Sequence, residues 1–384
     1  MKTKASVVVI GGGVIGAATA YELALRGWKD IVLVEKNTLF SGATARCGAG
    51  VRQQWGTEMN LRLSIGSVKR YETLAEELDY SHGIEFSQTG YFMPVYSERQ
   101  MQQFEKNVSL QRKFGLDVQF LPPEECRNIV PIISLEGLLG ATYYEKDGYL
   151  SPFHTTAAYA EAAMRKGVCI EKNTEVLGFT MEKNTIRSVA TNRGEISCDY
   201  VVNAAGGWSQ EIAKMVNVAL PLYSERHQIL VTEPIEPLFR PMVMSFTHGF
   251  YTQQEPNGAI LMGVGDPNEP KGYNMDHSYH FLQTVAALVT SVLPAVGKAR
   301  VVRQWSGLYN ISPDKAPILG LPKEVTNMYL AVGFSGHGFM VAPMVSEMIA
   351  QMMTNEKLSI PEAKTQLDIG RYDRGELIVE PSVV

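Results

Sequence analysis

Gly11-Gly12-Gly13-Val14-Ile15-Gly16 stands between an apolar run, Val7 to Ile10, and a stretch whose Ala17, Ala20, Leu23 and Ala24 recur on one helical face. A second apolar run, Ile31 to Val34, ends at Glu35. Strand, tight glycine turn, helix, strand and acid is the arrangement that holds the pyrophosphate and ribose of a dinucleotide. In that arrangement Gly11 allows the tight turn, Gly13 lets the backbone approach the phosphates, and Gly16 lets the helix close on the strand. The N–H groups at the helix start, around Val14 and Ile15, have no partner within the helix and point toward the anion. Glu35 accepts hydrogen bonds from the ribose hydroxyls, which favours a cofactor without a 2′-phosphate.

The residues after Glu35 bear on which dinucleotide this is. Lys36 is followed by a small, polar, glycine-rich loop through Ser41, Gly42, Ala43, Thr44, Ala45, Arg46, Cys47 and Gly48 to Gly50. Such a loop lets backbone lie along a large flat group. A second strand-to-helix turn follows Met328–Val332: Gly333, Phe334, Ser335, Gly336, His337, Gly338 and Phe339 precede a helix expected from about Met340 to Met353. Its N-terminus suits the electron-rich end of a reduced flavin. Two glycine turns at opposite ends of the chain indicate one long cofactor held at both ends. Val201–Val202 leads into Asn203, Ala204, Ala205, Gly206, Gly207 and Trp208, another strand entering small residues, and Val176 lies in a strand expected to cover the adenine.

Composition agrees with a globular enzyme. The chain has 384 residues, 45% of them hydrophobic, and a net charge of -5, which gives no reason to expect nucleic acid or an acidic membrane as a partner. No apolar run is long enough to span a bilayer, and the first strand begins too early to leave room for a signal peptide. Cys47, Cys126, Cys169 and Cys198 are scattered, without metal-ligand spacing, and read as reduced thiols in a cytoplasmic protein. No metal is expected. The last ten or so residues read as a loose tail.

Taken together, GGGVIG, SGATARCGAGVRQQW, QTGYF, DGYLSPFHTTAAYAEAA, ERHQILVTEPI, RQWSGLYNISPDKAPILG, GFSGHGFMVAP and RYDRGEL resemble the D-amino acid oxidase family of FAD-dependent oxidoreductases. The likeness is greatest to the β subunits of dye-linked L-proline dehydrogenase and heteromeric sarcosine oxidase. It implies an α/β fold: a Rossmann-type FAD-binding domain and a discontinuous α+β substrate domain on a mainly antiparallel sheet. The FAD domain would comprise 1–85, 150–222 and 298–370, the substrate domain 86–149 and 223–297, with 371–384 as a C-terminal tail. The residues themselves point to half-buried strands at Phe86–Met93 and Gln228–Thr232. They also point to a hairpin from Tyr251–Gln254 to Gly258–Gly263, turning near Asn257-Gly258.

The resemblance implies removal of a hydride from the carbon beside a secondary amine, as in proline, hydroxyproline or sarcosine, within a catalytic β subunit of a hetero-oligomer. Alternatives are a stand-alone enzyme for glycine, a D-amino acid or an opine, and a non-catalytic flavoprotein subunit. His227 is the first candidate near the amine and Tyr251 the second. Arg52 is the candidate for the substrate carboxylate, with Arg46 in reserve. His337 and Met340 lie at the second glycine turn. Asp314 is expected to fix a turn. Single-chain oxidases link FAD through a cysteine where this chain has Gly307, two residues before Tyr309, so non-covalent FAD is expected. They carry lysines where this chain has Met340 and Leu261, so slow reaction with oxygen is expected. Heteromeric relatives hold FMN at the interface with an α subunit, sometimes beside small electron-transfer subunits. His154 falls near the residue that links FMN in some of them. The methionines Met340, Met344, Met348, Met352 and Met353 stripe the last long helix and are expected to be core.

Overall fold

The computed structural model describes residues 2–381. Lys4–Ile10 lies at the centre of an eight-stranded sheet in the order Ile318–Gly320, Met328–Val332, Gly194–Asn203, Lys4–Ile10, Ile31–Val34, Cys169–Glu171. Lys4–Ile10 pairs in parallel with Gly194–Asn203 and Ile31–Val34. Thr185–Thr191 and Val176–Glu182 extend Gly194–Asn203 as an antiparallel meander.

Central parallel strands are covered on both faces, which explains the unbroken apolar run at 7–10. Val7 and Val9 pack against Val14–Leu25, Pro152–Arg165 and Gly338–Thr354. Val8 and Ile10 face the second core, with Val189, Ile196 and Ile212. Met340, Met344, Met348 and Met353 are buried in the helical layer and Met352 packs against it, as expected of that stripe.

A second eight-stranded sheet runs Val301–Ile311, Tyr223–Thr232, Ile260–Val264, Phe250–Gln254, Met242–Ser245, Tyr91–Val95, Gly140–Tyr144, Gln119–Leu121. All its pairings are antiparallel except Met242–Ser245 with Tyr91–Val95. Helix Tyr279–Val292 covers this sheet through Phe281, Val285, Val289 and Val292. The expected hairpin is present. Gly258, at φ 89°, closes its turn by donating to the Glu255 carbonyl at 2.8 Å.

Two expectations need correction. The strand read at Phe86–Met93 begins only at Tyr91; Ser87 makes an isolated bridge to Tyr149, and Gly90 turns away at φ 89°. The end of the chain is not loose through Pro381. Arg371 is fully buried, its guanidinium paired with Asp314 at 2.8 and 2.9 Å, and Glu380 is 7% exposed. Residues 382–384 lie outside the described part. Asp314 holds its turn as expected, accepting from the Ala316 N–H at 3.3 Å.

Candidate active site

The first glycine turn opens onto a groove of about 460 Å³. Gly11 sits at φ 114°, and a side chain there would collide with the Ala204 carbonyl; one at Gly16 would collide with the Gly11 carbonyl. A Cβ at Gly13 would lie 3.0 Å from the Thr44 hydroxyl, which accepts the Val14 N–H at 3.1 Å. One Glu35 oxygen accepts the Gly12 N–H and the other the Asn37 N–H, each at 2.8 Å, so both keep a lone pair for another donor. The Lys36 ammonium lies 3.3 Å above the Trp208 ring, whose other neighbour is the stacked ring of Tyr273. Arg46 donates to the Ser41 carbonyl at 3.0 Å and the Ser306 carbonyl at 2.9 Å, tying the small-residue loop to Val301–Ile311. This cradle fits a dinucleotide: bare backbone at the turn, a helix start whose first N–H meets only the Thr44 hydroxyl, and an acid one strand away.

Most of the expected cofactor residues line this groove: Gly11, Gly13, Val14, Ile15, Glu35, Lys36, Ser41, Ala43, Thr44, Arg46 and Cys47 from the first end, then Ala205, Gly206, Trp208, Tyr309, Gly336, Gly338 and Phe339. Others lie elsewhere. Gly16 packs the helix. Val176 is buried in the core beneath the sheet. Gly307 makes room for Arg46, whose Cβ would be 3.0 Å from a Cβ there. Gly333 is held at φ 72° by Asn310, whose side chain accepts its N–H at 2.9 Å. Gly48, His337 and Met340 face a neighbouring cavity. Met275, Leu308 and Asn310 also line the groove and were not foreseen. Alternation along Val301–Ile311 could have signalled Leu308 and Asn310; Met275 belongs to a loop with no such pattern.

That neighbouring cavity, about 450 Å³, brings Arg52, His227, Tyr251, Tyr309, His337, Lys315 and Met340 together. Cys47 lines both spaces, so the cavity abuts the groove. The His227 imidazole stacks on Tyr309 at 4.3 Å between centroids and on Tyr251 at 5.8 Å, nearly parallel to both. Its Nε2 has no hydrogen-bond partner among the described residues. Surrounding protein lowers its pKa to about 4, so it is neutral at pH 7. His337 stands edge-on to Trp55 and is lowered to about 3, first by burial and then by the Arg52 and Lys315 charges.

Arg52 is 1% exposed. Its guanidinium lies 3.9 Å above Trp55 and donates to the Gln54 carbonyl at 3.1 Å, while its Nε has no partner. Among the described residues no carboxylate reaches ion-pair distance of it. A buried guanidinium without a counter-ion is costly, and an anionic ligand would relieve that cost. Lys315 lines the same cavity from a left-handed backbone at φ 59°.

A third space, about 700 Å³, lies against the same small-residue loop and is bounded by Ala45–Ala49, Phe153, Leu261, Arg303 and Trp305. Leu261 therefore borders this space. His154 does not line it: Nδ1 meets the Tyr80 hydroxyl at 2.9 Å and the ring stacks near His82. Among the described residues no helix is long and apolar enough to cross a membrane, and no cluster of His, Cys, Asp or Glu could hold a metal.

Residues 6–352 match the family model described as DAO, FAD dependent oxidoreductase. The β subunit of sarcosine oxidase from Arthrobacter sp. is 30% identical over 99% of this chain and 94% of its own length. The crystal structure of L-proline dehydrogenase from P. horikoshii superimposes with a TM-score of 0.92 at 37% identity, covering 98% of this chain and all of that one. Glycine oxidase from Geobacillus kaustophilus, at 24% identity and a TM-score of 0.87, shares the fold.

Proposed function

Because the chain belongs to the DAO family of FAD-dependent oxidoreductases, we propose that it oxidises a small secondary amino acid, of the proline, hydroxyproline or sarcosine kind, to the imine. The observation that carries this reading is the buried guanidinium of Arg52, without a carboxylate partner among the described residues, facing the same cavity as two neutral histidines. FAD, held along the glycine-lined groove, supplies the two-electron acceptor. Arg52 takes the substrate carboxylate, and Lys315 adds positive charge at the same cavity. That field favours the substrate with its amine unprotonated, and the unpaired Nε2 of neutral His227 is available to accept the amine's proton or hydrogen bond. Tyr251 and Tyr309 hold the imidazole plane between them.

Arg52→Met should keep FAD and raise KM for the amino acid by about 10- to 100-fold, the value of a charge-assisted hydrogen-bonding contact. An unchanged KM would remove Arg52 from the site. We keep the division into an FAD domain and a substrate domain at the residue ranges given above, with Val301–Ile311 pairing along the substrate-domain sheet.

We infer further that the chain works as the β subunit of a hetero-oligomer in a reducing compartment, the cytoplasm, and that its third cavity takes FMN against an α subunit. Four unpaired cysteines support the compartment. The size of the cavity, its wall shared with the groove through Cys47, and the 51%-exposed Phe153 at its edge support the second flavin and the interface. FMN should accompany the complex isolated from its host and be absent from the isolated chain.

A further inference from the structure

The turn that carries Arg52 is gripped by two buried carboxylates from distant parts of the chain. Asp147, wholly buried, accepts the Gln53 N–H at 2.7 Å and the Gln53 amide at 3.3 Å on one oxygen; its other oxygen accepts the Gln54 amide at 3.0 Å. Glu380 arrives from the other side. One oxygen accepts the Gly56 N–H at 2.7 Å, and the other accepts the Thr57 hydroxyl and the Asn60 amide, each at 3.0 Å.

Between these grips the turn is short and stiff. The Trp55 indole N–H donates to the Arg52 carbonyl at 2.9 Å, its ring lies under the guanidinium, and its edge meets His337. A shift at Gln53 is therefore passed to Arg52 through one peptide unit, and a shift at Gly56 through Trp55, whose indole holds the Arg52 carbonyl. Bonds to an ionised carboxylate are about twice as strong as neutral ones; burial raises the Asp147 pKa to about 7, so its grip is firmest above that pH. Both acids also stabilise the guanidinium charge through space without pairing with it. Its remaining donors stay available for a ligand while the desolvation of the cation is partly offset.

We propose that Asp147 and Glu380 are positioning residues for the substrate carboxylate: they clamp residues 53–57 so that Arg52 keeps its place and charge in the cavity. The end of the chain is thereby part of the substrate site. This rests on the reading of Arg52 as the carboxylate anchor. The two ideas are separable, because the clamp acts only through Arg52. Glu380 also lies at the start of helix Glu58–Glu77, where an acid stabilises the helix, so a merely structural role would change melting alone.

The test uses the full-length, FAD-loaded protein carrying Glu380→Gln, Glu380→Asp, Asp147→Asn or Arg52→Met. Binding of pyrrole-2-carboxylate is read from the flavin spectrum, and kcat and KM are measured by dye reduction with proline or sarcosine, and with pyrrolidine, which lacks the carboxylate. Glu380→Gln should weaken carboxylate binding and raise KM by about 5- to 30-fold, leave kcat within about twofold, and spare pyrrolidine. Glu380→Asp should recover part of the loss, and Asp147→Asn should behave like Glu380→Gln. If Asp147→Asn does not fold, the Glu380 variants decide. Unchanged binding and KM in Glu380→Gln, or an equal loss with pyrrolidine, would overturn the clamp. If Arg52→Met also leaves carboxylate binding unchanged, or the unaltered protein binds no carboxylate, the anchor itself is wrong. A loss in Arg52→Met alone refutes only the clamp.

Discussion

His227→Ala should keep FAD and slow flavin reduction by about 10²- to 10⁴-fold, the usual contribution of a positioned proton acceptor. The imidazole is stacked between Tyr309 and Tyr251, its Nε2 is unpaired, and burial holds its pKa near 4. The substitution leaves the two tyrosines and the Arg52 turn in place. Tyr251→Phe removes one hydroxyl and keeps the stack, so it should cost about fivefold, the value of one neutral hydrogen bond. The same burial has a stability signature. The imidazole's pKa is about 4 in the fold against 6.5 in the unfolded chain, so the unfolded chain takes up the proton first as pH falls. Stability linked to this group is full above pH 6.5 and is lost progressively down to pH 4. The loss amounts to at most about 3 kcal/mol, reduced by screening from cavity water. His337, lowered to about 3, adds a loss of the same sign. Anaerobic stopped-flow reduction and melting curves from pH 7 to pH 4 measure both effects. His227→Ala should reduce flavin slowly at pH 7 and lose less stability on acidification than the unaltered protein. A variant that reduces its flavin at the normal rate would refute the assignment, whatever its melting temperature.

Gly13→Val should fold but purify colourless, because its side chain occupies the approach to the phosphates beside Thr44; absorbance at 450 nm per protein measures it, and full flavin occupancy would contradict the placement. Acid precipitation of the isolated chain should release all its FAD, because Gly307 offers no linking atom and packs against Arg46; flavin in the pellet would refute this. Asp314→Ala should destabilise the fold by about 3–5 kcal/mol, measured by denaturant melts, because it strands the fully buried Arg371. Dye should oxidise the reduced isolated chain faster than oxygen does, since Leu261 and Met340 carry no charge; equal rates would contradict this.

The cofactor groove was legible because glycine leaves a signature in sequence. Gly11 and Gly16 are required by carbonyls that a side chain would strike, and Gly336 sits at φ 88°. Gly333 also shapes its own turn, and Gly307 also admits Arg46. A glycine announces a close approach without saying what approaches. Val176 does not line the groove, and its side chain is buried in the second core. The substrate cavity was legible only through resemblance: His227, Tyr251 and Arg52 come from separate segments, and no local periodicity joins them. The grips of Asp147 and Glu380 on residues 53–57 left no local signal, since each acts over more than ninety residues of sequence. The docked end of the chain was missed for the same reason. Polar composition there reads as a tail until Arg371 meets Asp314.

The central claim is that this cavity delivers a secondary amino acid's hydride to FAD, and anaerobic spectra of the purified protein test it most directly. L-Proline, trans-4-hydroxy-L-proline, sarcosine, glycine, D-alanine and pyrrolidine would each be added in the absence of oxygen while the oxidised flavin band is followed. At least one of the secondary amino acids should bleach the band completely, faster than glycine, D-alanine or pyrrolidine does, with one imine formed per flavin reduced. Bleaching by glycine or D-alanine in preference to every secondary amino acid, or a flavin that no member of the panel reduces, would contradict the account.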